Sequence, residues 1–145
     1  MHLPADTLLD GEIVALDNDE RISFNLLQRH RSAAQAILFY AFEVIIHQGK
    51  SLVKVPLQNR REILCDLIGE LKHRTPFICL SDIINVTPAE LIPLVKEFGF
   101  EGVVAKRKDS CYEIGKRTGA WVKYKLTRAR RSSSAATHQT IRRTR

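Results

Sequence analysis

A chain of 145 residues with 44% hydrophobic content is long enough for one modest domain with its own core. Its net charge of +7 is unevenly placed: residues 1–100 carry 10 cations and 13 acids, residues 101–125 seven and three, and residues 126–145 six and none. That asymmetry favours a polyanionic partner, with nucleic acid ahead of a membrane surface because no amphipathic lipid-binding stripe accompanies it. Cys65, Cys79 and Cys111 are odd in number and widely separated, which argues against a disulfide framework or a zinc site and predicts a reducing cytosol. No apolar run approaches the length of a membrane span, and the N-terminus lacks the apolar core of a signal peptide.

The first element predicted is a strand near Glu12–Leu16, followed by a short helix over Asn25–His30 that Ser23 can cap; His30 reads as a surface residue. Residues 37–46, ILFYAFEVII, form the most apolar stretch and predict a strand covered on both faces, ended by a hairpin-like turn at HQGK. After Pro56, Leu57, Ile63, Leu64, Leu67, Ile68 and Leu71 recur at three- and four-residue steps, the pattern of an amphipathic helix packed on a sheet. Thr75–Ile84 holds a further predicted strand, PFICLSDI. Thr87-Pro-Ala-Glu90 then combines a capping threonine, a proline in the first turn and a capping-box glutamate ahead of Leu91, Ile92, Val95 and Phe98, with Gly99 as the stop.

Residues 101–125, EGVVAKRKDSCYEIGKRTGAWVKYK, read as two strands joined by a loop. In the second strand Trp121, Lys123 and Lys125 alternate with Val122, Tyr124 and Leu126, so period two sets both lysines on one face and the apolar set toward the core. Same-parity residues lie roughly 7 Å apart along a strand, a spacing that lets two ammonium groups address neighbouring phosphates. An acid among so many cations, Glu101, can hold Mg²⁺, which in turn offsets phosphate charge. A solvated basic hairpin with a structural acid is the alternative reading of the same residues. From Leu126 onward, TRARRSSSAATHQTIRRTR has six arginines, no acid and almost nothing to bury; a disordered tail able to hold a phosphodiester backbone is expected, or an extension without a role.

EGVVAKR followed by WVKYK resembles the fourth and fifth signature motifs of the ATP-dependent DNA ligases, covalent nucleotidyltransferases related to RNA ligases and capping enzymes. The whole segment is similar to bacterial ligases of end-joining type. DGEIVALD at 10–17 resembles the third motif, and FYAFEVIIHQGKSL at 39–52 resembles the motif that supplies an adenine-stacking aromatic. Four matches in order cover most of residues 10–126. The resemblance implies an α+β covalent-nucleotidyltransferase fold, shared with mRNA capping enzymes and ATP-grasp-like, with a mixed, mostly antiparallel sheet packed by helices. It divides the chain into part of an adenylation domain at 1–126 and a basic tail at 127–145.

What the resemblance implies for the site is specific. Phe42 would stack on adenine, an interaction worth about 1–3 kcal/mol per base. Glu12 and Glu101 would serve the ribose or a metal, here Mg²⁺. Lys123 and Lys125 would stabilise charge on the α-phosphate of ATP, with Lys106 near the same phosphates. Glu43 departs from the aspartate usual there. In the family, a lysine in a Lys-x-Asp-Gly motif attacks ATP, AMP passes to the 5′-phosphate of a nick in duplex DNA, and the 3′-hydroxyl displaces it. No lysine here begins such a motif; only nine residues precede Asp10-Gly11, and relatives place the nucleophile farther upstream. The expectation is therefore a cytoplasmic bacterial ligase fragment, for DNA repair and recombination, that is inactive alone. A non-catalytic nucleotide- or DNA-binding module, and one half of a split ligase completed by a separate polypeptide, remain as alternatives.

Overall fold

The structure, a computed structural model, describes residues 3–19, 22, 26–27, 36–97, 102–116, 118–125 and 142–143. Its organising strand is β2 (Ala36–His47), which pairs along one edge with β1 (Leu8–Leu16), antiparallel, and along the other with two short strands. One of these, β3 (Lys50–Ser51), follows a tight turn in which Gln48 and Gly49 both have positive φ, 50° and 77°. Two successive left-handed residues make the turn whose twist matches that of the strands it joins. The other, β4 (Ile78–Leu80), runs parallel to β2, with Ile78, Cys79 and Leu80 beside Phe39, Tyr40 and Ala41. The mixed, mostly antiparallel sheet expected from sequence is thus present. β4 is shorter than the strand PFICLSDI predicted within Thr75–Ile84: after the bond from Ser81 N to Ala41 O at 2.9 Å the chain leaves the sheet, and Ile83 is 68% exposed.

The helix α1 (Leu57–Leu71) closes one face of this sheet. Leu64 and Ile68 join Ala41 and Val44 in the buried core, with Leu9, Phe39, Leu52, Ile63, Ile78 and Leu80 packed around them. Full burial of a side chain such as Leu64 or Val44 contributes about 1.5–3 kcal/mol. Ala41 and Val44 are three residues apart, an odd step that a regular strand would send to opposite faces. A bulge resolves this: Asp10 pairs with Glu43 and Gly11 with Ala41, so Phe42 is the extra residue on β2. Beside it Gly11 is obligatory, because a Cβ there would stand 2.5 Å from the Phe39 ring and 2.6 Å from the Tyr40 carbonyl oxygen.

The second helix, α2 (Pro88–Glu97), begins at the predicted cap: the Thr87 amide donates to Glu90 Oε2 at 2.9 Å and the Thr87 hydroxyl to the same oxygen at 2.7 Å. These bonds hold the Glu90 carboxyl below its ordinary range. Val95 is buried beneath the helix, whereas Phe98 and the predicted stop at Gly99 lie outside the described residues. So do the predicted Ser23 cap, His30 and most of the tail, although Leu26 and Leu27 are helical.

A second sheet pairs β5 (Gly102–Lys106) antiparallel with β6 (Trp121–Lys125), and β6 in turn with β7 (Arg142–Arg143). The two main strands come close enough that a Cβ at Gly102 would stand 2.1 Å from the Tyr124 carbonyl oxygen. The apolar side of β6 was expected to face the core, but Tyr124 is 38% exposed and Val122 only half-buried; Leu126 lies outside the described residues. The loop from Arg107 to Ala120 fastens this sheet to the first. Pro56 gives α1 no side-chain cap, and the amides of Leu57 and Gln58 instead donate to the carbonyls of Ser110 (2.9 Å) and Lys108 (3.0 Å). Tyr112 N adds a bond to Val53 O at 2.9 Å. No helix among the described residues is long and apolar enough to cross a membrane.

Candidate functional site

Where the two sheets meet, a polar cluster is built on β2. Glu43, 1% exposed in the middle of the most apolar strand, cannot stay charged there without partners. It accepts a 2.9 Å hydrogen bond from Nε of Arg60, which is fully buried in the first turn of α1, and lies 3.5 Å from Nζ of Lys106 at the end of β5. Arg60 in addition donates to the carbonyls of Val55 and of Ser110, the latter at 3.1 Å. One buried residue thereby joins the helix start, the sheet and the β5–β6 loop.

Lys106 stands at the centre. Its ammonium is 4.3 Å from the Phe42 ring centre and 3.8 Å from the Trp121 ring centre. Burial pushes it below the ordinary lysine value, with the Glu43 charge the main opposing influence. Trp121 meets Tyr112 edge to face, at 5.7 Å and 81°. The Tyr112 hydroxyl donates to Asp10 Oδ2 at 2.9 Å. Burial, and then this bond to a carboxylate, push the phenol up to about 12.

Register decides which groups share a face. Lys106 lies directly opposite Trp121, Val104 opposite Lys123 and Gly102 opposite Lys125. Directly opposed residues of an antiparallel pair point to the same side, and residues two apart repeat it. Lys106, Trp121, Val104, Lys123 and Lys125 therefore occupy one face, the one that carries Lys106 toward Phe42. Lys123 and Lys125 are exposed and enter no ion pair among the described residues, so both cations are free for an anion. Such a row suits a chain of phosphates.

Of the residues singled out from sequence, Phe42, Lys106, Lys123 and Lys125 fall in this region. Glu12 is exposed on β1, on the same side as Asp10 two residues earlier and opposite Tyr40. Glu101 lies outside the described residues. Among the described residues no group of three or more His, Cys, Asp or Glu side chains gathers around a metal position. A Mg²⁺ carried by nucleotide phosphates needs only one or two protein carboxylates, and Glu12 is an exposed carboxylate on β1. Sequence reading missed Asp10, Arg60, Tyr112 and Trp121 as parts of the cluster. For Arg60 a signal existed: an acid inside a strand apolar on both sides requires a buried cation somewhere in the chain.

Residues 2–125 match the family described as the ATP dependent DNA ligase domain. The chain is 34% identical, over 118 residues, to the multifunctional non-homologous end joining protein LigD of Mycobacterium bovis; the match covers 81% of this chain and 15% of that protein. The crystal structure of the ligase domain of M. tuberculosis LigD superposes with a TM-score of 0.70 at 32% identity, over 83% of this chain and 38% of that one. A mycobacterial DNA ligase D complexed with ATP and MES superposes with a TM-score of 0.66 at 32% identity, over 81% and 37%. This chain thus spans well under half the length of these relatives. On the match across residues 2–125 and the shared fold, the chain belongs to the family of ATP-dependent DNA ligase domains.

Proposed function

We propose that this chain carries the adenine-nucleotide pocket of an ATP-dependent DNA ligase, the part that grips ATP while another segment supplies the attacking lysine. The observation that carries this reading is the single face shared by Lys106, Trp121, Lys123 and Lys125, set against Phe42 and Glu43. Phe42 stacks on adenine. Lys123 and Lys125 hold charge at the α-phosphate and Lys106 lies near the same phosphates. Glu12 and Glu101 serve the ribose or a Mg²⁺ that arrives with the nucleotide and offsets phosphate charge. The likeness to a neighbour solved with ATP supports the nucleotide, and the end-joining relatives support nicked duplex DNA as the acceptor of AMP in DNA repair. The free thiols of Cys65, Cys79 and Cys111 favour a reducing compartment such as the bacterial cytosol.

No Lys-x-Asp-Gly occurs in these 145 residues, and Lys106, Lys123 and Lys125 occupy charge-stabilising positions, so the nucleophile comes from a segment outside them, which a separate polypeptide can supply. Incubation with labelled ATP and magnesium tests both halves of the reading. The chain alone should bind ATP saturably and acquire no covalent AMP. Mixing with a polypeptide that carries Lys-x-Asp-Gly and the preceding part of a ligase domain should place AMP on that polypeptide. Absence of ATP binding would overturn the pocket; an AMP adduct on this chain alone would overturn the roles given to its lysines.

A further inference from the structure

The charge carried by β6 and the segment after it is of one sign. From Trp121 to Arg145 the chain has two lysines, six arginines and no aspartate or glutamate, so no acid of that stretch offsets them. The tail nonetheless returns to the sheet: β7 pairs antiparallel with the end of β6, Arg143 beside Tyr124 and Arg142 beside Lys125. On its other side Lys125 lies opposite Gly102, which has no side chain to offer it. We propose that β6 and β7 together form a binding surface for the phosphate backbone of duplex DNA, centred on Lys125 and Arg142, and that the backbone in turn holds the tail on the sheet. This rests on the reading of duplex DNA as the partner and is independent of how the adenine nucleotide is gripped.

Register supplies the argument. Directly opposed residues of an antiparallel pair take the same face with Cβ atoms about 4.5–5.5 Å apart, and like charges so placed repel. Lys125 and Arg142 are such a pair. The ladder they belong to is only two residues long, so this repulsion works against very little backbone pairing. An anion shared by the two cations turns the same register into a favourable one. Lys123 and Lys125 are exposed and enter no ion pair among the described residues, so the counter-charge comes from outside this chain. With Lys123 two residues along the strand, roughly 7 Å from Lys125, the cations spread over two strands, which suits a chain of phosphates better than one small anion. Membership of a DNA ligase domain family favours DNA over other polyanions. A duplex that binds the paired tail more tightly than the free one draws it onto the sheet by mass action.

Two charge-matched variants separate a paired strand from a loose cationic arm. Arg142→Ala/Arg143→Ala removes two cations from β7, and Arg130→Ala/Arg131→Ala removes two from the segment that precedes it. Binding of a labelled duplex of arbitrary sequence to the full chain is followed by fluorescence anisotropy at several salt concentrations, with circular dichroism to check that the variants keep the fold. The β7 variant should bind the duplex at least about fivefold more weakly than wild type and flatten the slope of log affinity against log salt by about one to two, as lost phosphate contacts do. The Arg130/Arg131 variant should lose no more than about twofold on the same scale. Equal losses for the two pairs, which a loose arm would give, overturn the surface and leave DNA as the partner. A loss seen with ATP and not with the duplex assigns the strand to the nucleotide's phosphates and overturns the surface as well. If wild type binds no duplex, the DNA reading itself fails and the surface with it.

Discussion

Arg60 and Glu43 meet at 2.9 Å with neither side chain more than 1% exposed, so the first turn of α1 and the centre of β2 are joined by a fully desolvated ion pair. Such a pair seldom adds stability over a well-packed apolar replacement, but removing one partner strands a charge at a cost of about 3–5 kcal/mol. Arg60→Ala and Glu43→Leu should therefore each lower the urea midpoint sharply. The double variant Glu43→Leu/Arg60→Met should recover much of the loss in the same melts, and single variants that unfold no more easily than wild type would show that the pair is not closed in solution.

Tyr112 provides a pH-dependent test. Its phenol donates to Asp10 across 102 residues of sequence, and its pKa is raised from 10.0 to about 12, first by burial and then by that bond. A group whose folded pKa lies above its unfolded value favours the protonated folded state. Its contribution is whole below pH 10 and is lost as the pH climbs from 10 toward 12. Spectrophotometric titration should show one phenol that ionises near 12, and Tyr112→Phe should remove it while flattening the fall of the denaturation midpoint over that window. A chain whose tyrosines all titrate near 10 would contradict the bond.

Much of this architecture is legible in the chain. The three- and four-residue spacing of Leu64, Leu67, Ile68 and Leu71 marks α1, Gln48-Gly49 marks the turn after β2, and Thr87 with Glu90 marks the start of α2. These are local signals, carried by neighbours in sequence. The cluster around Glu43 is not local. Arg60 reads as the polar side of an amphipathic helix until the strand beneath it is known to carry a buried acid. Apart from the motif resemblance, Phe42 reads as one more apolar residue of a strand, because the bulge that sets it off is a property of its pairing with β1. Trp121 meets Lys106 through the β5–β6 register, and Tyr112 reaches Asp10 from a loop whose Lys108 and Ser110 carbonyls cap α1. The parallel strand β4 is shorter than its sequence suggests for the same reason: apolar residues recur past Leu80 at Ile83 and Ile84, but the pairing with β2 ends at Ala41↔Leu80.

Gly102 sets the distance between β5 and β6. A methyl group there would stand 2.1 Å from a backbone oxygen of Tyr124, which no side-chain motion can relieve, so Gly102→Ala must part the strands or shift their register. A one-residue slip would turn Lys106 and Val104 to the opposite face. The expected outcome is a changed Trp121 emission and loss of ATP binding with α1 helicity retained by circular dichroism. Unchanged ATP affinity would show that the register does not position the lysines.

Lys123 and Lys125 separate binding from folding. Both are exposed and without an ion pair among the described residues, so Lys123→Ala and Lys125→Ala should leave the unfolding free energy within about 0.5 kcal/mol of wild type, as surface substitutions ordinarily do. If each ammonium faces a phosphate, losing one removes roughly 1 kcal/mol of charge-assisted contact and weakens ATP binding about fivefold. The effect should shrink as salt screens the exposed charges. Adenosine lacks phosphate, so its affinity should ignore both β6 substitutions. Equal losses for adenosine and ATP would mean that β6 shapes the base slot through its backbone, and that the lysine row is a solvated face.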